Sequence, residues 1–177
     1  KNDKGKNDSR WVDENFKMSR LYVLAIQKDA NGKREPRKLT TADYNVETFD
    51  WSSDGSRIAF SHTKSPVAND WTTSDVSIIE VASGKVTVLA NTTAAEISPL
   101  YSPDGNSIAI LATDNPPRWA QSAVIQVFAA AGGGQPRNLV ASFDAQPSIA
   151  GWSADGKRIY FSEDKGTESQ IYALDVA

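Results

Sequence analysis

The chain has 177 residues, of which 23% are charged, a net charge of −3 and a pI near 5.2, with Lys and Arg interspersed among Asp and Glu. That balance offers no electrostatic ground for nucleic acid or an anionic membrane as a partner. There is no cysteine, which excludes disulfides, thiolate metal sites and a cysteine nucleophile and leaves the compartment open. No apolar run approaches the ~18–20 residues of a membrane span, and the polar start KNDKGKNDSR has no signal-peptide core. The expected molecule is soluble, cytoplasmic or, after removal of a signal, periplasmic or secreted.

In chain order, residues 1–19 read as a polar lead-in or connector whose apolar anchors are Trp11, Val12, Phe16 and Met18. From residue 20 onward the pattern is one of short β-rich runs between turn residues, with almost no helical spacing. Residues 20–26 (RLYVLAI) and 35–39 around Asn31-Gly32 read as the last two strands of a unit. A first full unit, residues 46–95, takes strands at 46–51, 57–61 (RIAFS), 75–81 (DVSIIEV) and 86–90. A second, residues 96–146, takes 97–101, 107–111 (SIAIL), 123–128 (AVIQVF) and 136–140. Residues 147–177 supply three more, 149–152, 158–162 (RIYFS) and 170–175 (QIYALD).

One phrase punctuates this register: WSSDG from Trp51, YSPDG from Tyr101 and WSADG from Trp152, at spacings of 50 and 51 residues. Each copy joins the first two strands of its unit. A type I turn closed by a residue at positive φ needs a glycine there, which Gly55, Gly105 and Gly156 supply. Asp54, Asp104 and Asp155 are suited to accept nearby backbone N–H bonds. These six residues are read as structural hairpin corners; a shared metal or acid site would require the three Asp to meet, although they belong to different units. Trp51, Tyr101 and Trp152 are read as rings covering the contacts between units. Four short antiparallel strands per repeat of this length define an all-β fold, a β-propeller with about three blades present.

The stretches WSSDGSRIAFSH, YSPDGNSIAILAT and WSADGKRIYFSED resemble the repeats of TolB-type and WD-repeat-like propellers. RLYVLAI, REPRKLTT and IQVFAAAGGGQPRNLV resemble the cadence of the N-terminal propeller in prolyl oligopeptidase family serine peptidases, in the acylaminoacyl-peptidase and dipeptidyl-peptidase branch. The resemblance covers roughly residues 20–177. It implies a non-catalytic propeller that caps a C-terminal α/β-hydrolase domain, filters peptide substrates by size and helps to hold the peptide's N-terminal end. No catalytic residue can be carried over, because the chain has no G-x-S-x-G elbow and a single histidine, His62. A TolB-like protein-interaction propeller without a hydrolase is the alternative, and a glycan-active propeller a distant third, since no facing carboxylate pair can be placed.

Function is expected in the loops between second and third strands. Residues 62–75 carry Asp70 and Trp71, and residues 113–122 carry Arg118 and Trp119. These four are the candidates for contact with a substrate or a neighbouring domain, against the plainer reading that each Trp pins its own loop. The third unit offers only EDKGTES there, and the Ala-Ala-Ala-Gly-Gly-Gly run ending at Gly134 reads as a turn rather than a phosphate loop. No cofactor or metal is expected. The expected partners are the hydrolase domain, a peptide and, through open blade edges, a second copy whose residues 20–39 complete the blade containing Trp152. Because a closed propeller takes at least about four blades, a fragment is expected.

Overall fold

The computed structural model describes residues 16–120, 122–140 and 142–176, so most of the lead-in, with Trp11 and Val12, lies outside the described residues. Among the described residues the strands are β1 (Tyr22–Val23), β2 (Arg37–Lys38), β3 (Asn45–Trp51), β4 (Arg57–Thr63), β5 (Asp75–Glu80), β6 (Val86–Ala90), β7 (Glu96–Tyr101), β8 (Ser107–Thr113), β9 (Ala123–Ala129), β10 (Arg137–Asn138), β11 (Ser148–Trp152), β12 (Arg158–Lys165) and β13 (Glu168–Asp175). One 3-10 helix, Ala68–Thr73, lies between β4 and β5. The strands pair antiparallel with their sequence neighbours, giving sheets β1-β2, β3-β4-β5-β6, β7-β8-β9-β10 and β11-β12-β13. Successive meanders packed face to face make an all-β, partial β-propeller.

Period-two alternation decides which residues meet between sheets. Ile58 and Phe60 of β4 point to one side and pack with Leu21 and Leu39. Ala59, between them, points to the other side and packs with Ile108 and Ile110 of β8. Ala109 and Leu111 repeat the step, reaching Ile159 and Phe161 of β12. Each sheet thus lends one face to each neighbour, and the core is three stacked layers rather than one. On the far side of the β11-β12-β13 sheet the same parity leaves Tyr160 and Ile171 exposed.

The corner phrase is the same object three times. Gly55, Gly105 and Gly156 have φ of 69°, 71° and 69°. Their N–H groups each donate to the carbonyl of Ser52, Ser102 and Ser153 at 2.9 Å, which closes the turn. Asp54 Oδ1 accepts from the Ser52 hydroxyl at 2.6 Å and from the N–H of Ser56 at 3.0 Å. Asp104 and Asp155 accept the corresponding hydroxyls of Ser102 and Ser153 at 2.5 and 2.6 Å. These bonds, the Ser52 hydroxyl foremost, hold the Asp54 carboxyl down to about 2, and Asp104 and Asp155 shift the same way. Each Asp serves its own turn.

The aromatic before each corner depends on what stands beside it. Tyr101 is 6% exposed, its N–H donating to Asp50 Oδ2 at 2.8 Å across the sheet boundary. Trp152 packs in the next layer and donates from Nε1 to the Leu100 carbonyl at 3.1 Å. Trp51 stays 40% exposed. Among the described residues the sheet before it has two strands, and none of them is an inner strand for the ring to cover.

Several strands differ in length from the sequence reading. Of residues 20–26 only Tyr22 and Val23 pair, and beyond them Asp29 Oδ1 gathers the N–H groups of Asn31 and Lys33 at 2.9 and 2.8 Å into a turn. Residues 136–140 reduce to Arg137–Asn138, both exposed, where little burial rewards further pairing. EDKGTES is not a loop: β12 and β13 continue through it and reverse at Gly166, whose φ is 68°.

Candidate functional site

The end of the sheets opposite the corners is shaped by a bulge in each inner strand. From Val46 to Phe49 the chain takes three steps while its partner, His62 to Phe60, takes two. The same shift occurs between Ile97 and Leu100 and between Ile149 and Gly151. A bulge bends the strand and redirects the side chains it carries. In β3 these are Glu47 and Thr48, and Ser61 secures them: its Oγ accepts the Thr48 N–H at 3.2 Å and lies 2.7 Å from Thr48 Oγ1. In β7 the corresponding kink places Ser98 in the left-handed region at φ 55°, a strained position for a residue with a Cβ.

Between these two bulges lies a cleft of about 390 Å3. Pro66, Val67, Trp71 and Ile97 give it apolar walls; Thr48, Ser61, Thr63, Ser74 and Ser98 add hydroxyls; and Glu47 brings a carboxylate. Glu47 Oε1 accepts from Asn45 Nδ2 at 2.5 Å and from Thr63 Oγ1 at 3.2 Å, so the acid is held in one orientation. Ser74 Oγ donates to the Glu96 carbonyl at 2.8 Å and ties the 3-10 segment to the next sheet.

Among the described residues, two carboxylates are buried at this end. Glu96 is 1% exposed; Oε1 accepts from the Thr92 N–H at 3.1 Å and hydroxyl at 2.5 Å, and Oε2 has no partner among the described residues. Burial, reinforced by Asp75, pushes its pKa up. Glu163 is 4% exposed, and burial pushes it up too. Donors from Ser142, Gln146, Asp144 and Phe143 outweigh that and hold it below the ordinary value. Both acids organise the chain where it passes from one sheet to the next.

The structure brings Trp71 and Trp119 together, ring centroids 5.7 Å apart at 51°. Trp71 sits in the cleft wall, whereas Trp119, packed against Trp71, is 81% exposed and does not line the cleft itself. Asp70 and Arg118 are directed elsewhere. Asp70 Oδ2 accepts from the Ser65 hydroxyl within its own loop. Arg118 clasps Asp114 through Nε at 2.8 Å and Nη2 at 2.7 Å, closing the second loop. Sequence reasoning missed Glu47, Thr48, Ile97 and Ser98. The available signal was the failure of N-V-E-T-F-D-W to alternate cleanly, which a bulge produces.

His62 lies within β4, stacked on Tyr44 at 4.4 Å and 28°, and burial lowers its pKa. Its Nε2 is 2.9 Å from Ser77 Oγ. Ser77 is 1% exposed, so this serine–histidine pair meets no substrate and acts as a cross-strand link. Among the described residues no group of three His, Cys, Asp or Glu could hold a metal, and no helix is long and apolar enough to cross a membrane.

The repeated corners, bulged inner strands and stacked meanders agree with comparison to known proteins. A family model described as PD40, the TolB beta propeller domain, matches residues 4–177. The chain belongs to the TolB β-propeller domain family. As a member it is 29% identical over 133 residues to dipeptidyl-peptidase 5 of Porphyromonas gingivalis, covering 73% of this chain and 19% of that protein. It is 34% identical over 94 residues to the Tol-Pal system protein TolB of Francisella tularensis subsp. mediasiatica, covering 53% of this chain and 20% of that one. The crystal structure of TolB from Acinetobacter baumannii superposes with a TM-score of 0.61 at 19% identity, covering 85% of this chain and 34% of that chain. This TolB-family chain spans about a fifth of the length of the curated relatives it matches.

Proposed function

We propose that this chain is a non-catalytic propeller segment whose cleft end meets peptide substrates and gates or positions them for a C-terminal α/β-hydrolase domain of the same parent protein. The observation that carries the reading is the similarity to dipeptidyl-peptidase 5, which extends over 73% of the chain, further than the 53% covered by the Francisella TolB sequence. The chemistry of the described residues is compatible with it. The cleft holds hydroxyls and an oriented carboxylate but no histidine, so it can bind and orient a peptide without cleaving it. In this role Trp71 and Trp119 are the aromatic contacts, while Asp70 and Arg118 shape the loops that carry them.

A TolB-like interaction propeller without a hydrolase is the second reading, favoured by the family model and by the higher local identity to TolB. The intact mass of the native gene product, with a serine-directed fluorophosphonate probe on the same sample, separates the two. A product with a hydrolase-sized extension that takes the probe supports the peptidase. A product without either defeats it and leaves the interaction module.

A further inference from the structure

We propose that the cleft between the bulged strands β3 and β7 is a receptor for an arginine side chain presented by a peptide segment, with Glu47 as its counter-ion and Trp71 as its aromatic wall. The inference rests on the reading that this end of the propeller meets peptides, and it names the side chain selected. Pro66, Val67, Ile97 and Trp71 offer apolar surface, and among the described residues the charged one lining the cleft is Glu47. A ligand that matches must be apolar along its stem and positive at its tip. Aspartate, glutamate or a short neutral side chain would leave either the walls or the acid unmatched.

Glu47 is placed to receive rather than to stabilise. Asn45 Nδ2 and Thr63 Oγ1 both bind Oε1, fixing the carboxylate while committing one of its oxygens. Among the described residues the salt bridges are Arg118–Asp114 and Arg158–Asp175, so no cation of this chain's described part neutralises Glu47. The β3 bulge that carries Glu47 is stapled by Ser61, and the opposite wall holds Ser98 at φ 55°. Strain of that kind persists where the surrounding structure imposes it, and here it shapes the cleft. Arginine suits the space better than lysine. Its methylene stem covers apolar wall, its planar fork pairs with a carboxylate, and its guanidinium stacks on an indole, whereas an ammonium is a compact, strongly hydrated charge.

The test uses the whole 177-residue chain and end-blocked, fluorescein-labelled alanine hexapeptides carrying one arginine, lysine or citrulline. Citrulline keeps the shape of arginine without its charge, and blocked ends remove terminal charges. Fluorescence anisotropy at low salt should show arginine bound about tenfold more tightly than citrulline, with lysine between. Glu47→Gln, which keeps the Oε1 acceptor for Asn45 and Thr63, should erase the difference between arginine and citrulline. Thr48→Lys, which sets an internal ammonium beside Glu47, should abolish arginine binding as an independent second variant. Equal affinity for arginine and citrulline, no binding of either peptide, or an arginine preference that survives both substitutions overturns the proposal. A gene product that takes the serine probe while its propeller shows no arginine preference overturns this inference alone. Arginine preference in a gene product without a hydrolase overturns the peptidase reading alone.

Discussion

At the corner end, Gly55, Gly105 and Gly156 share φ values within two degrees, and three Asp residues accept the same serine hydroxyl two positions back. At the cleft end no two connections between second and third strands agree: one holds a 3-10 helix with Trp71, the next is closed by Asp114 on Arg118 and Ser122, and the third is a tight turn at Gly166. Every hairpin needs a corner, so the corner repeats. Nothing in the packing of the sheets requires the cleft-end loops to be alike, and that freedom is where a binding site can be built. The same contrast governs the carboxylates. The corner acids are exposed and all lowered, while the buried acids at the cleft end move in opposite directions according to how many donors reach them.

The largest effect should come from breaking a corner. Gly105→Val forces a β-branched residue into the left-handed region and sets a Cβ 3.0 Å from Ser53 Oγ. A loss of about 2 kcal/mol is expected, seen as a fall of about 4–8 °C in thermal melting. Gly55→Val meets no atom within 4 Å and should cost less; equal losses at the two sites would mean that backbone strain alone matters there.

Next come the buried acids. Glu96→Gln at pH 8 removes a charge held in poor solvation and should raise stability by about 1 kcal/mol, or about 2–4 °C. Glu163→Gln disturbs an acid whose donors favour its charged form and should lower it. Since the folded pKa of Glu96 lies above its ordinary 4.5, the stability linked to it is fully present below 4.5 and is lost as pH rises through the folded value. Glu163, shifted down, contributes above 4.5 and loses that contribution as pH falls through its folded value. Melting curves of both variants between pH 3 and pH 8 check the pair, and shifts of the same sign at pH 8 would break the comparison.

A smaller effect is confined to acid. With Asp54 held to about 2 against an ordinary 3.8, its stabilisation is present above 3.8 and disappears as pH falls toward about 2. Carboxyl-carbon NMR titration should show Asp54, Asp104 and Asp155 moving down together, in contrast to Glu96. The smallest change in stability belongs to the cleft itself: Glu47→Gln should leave melting within about 1 °C of the parent, because the exposed acid keeps its acceptor. A larger drop would make Glu47 part of the scaffold.

The corners were legible in the sequence because a positive-φ turn restricts its residues so tightly that Gly, Asp and Ser must appear at fixed offsets. The strands RIAFS, SIAIL and RIYFS were equally plain as short β-rich runs after each corner; β4 and β8 are buried on both faces and read as near-continuous apolar runs, whereas β12, with one face open, alternates. The lengths of β1 and β10 were not, because the ends of edge strands depend on neighbours rather than on their own residues. The candidate site was half legible. Trp71 and Trp119 stood out as large rings in loops, and the structure sets them side by side. Asp70 and Arg118 stood out as charges, but Ser65 and Asp114 engage them locally. Glu47 and Ser98 have the sequence context of ordinary strand residues, and only the bulges of β3 and β7 set them on one cleft.

The sequence by itself determined the propeller: hairpins are local, and their turn chemistry and alternation are written within each unit of about fifty residues. Only the tertiary structure decided the cleft. Its walls come from two different sheets, its acid is aimed by a bulge and held by Asn45 and Thr63, and its aromatic wall, Trp71, packs against Trp119 across nearly fifty positions. Contacts of that range arise from stacking one sheet on the next, which local composition does not encode.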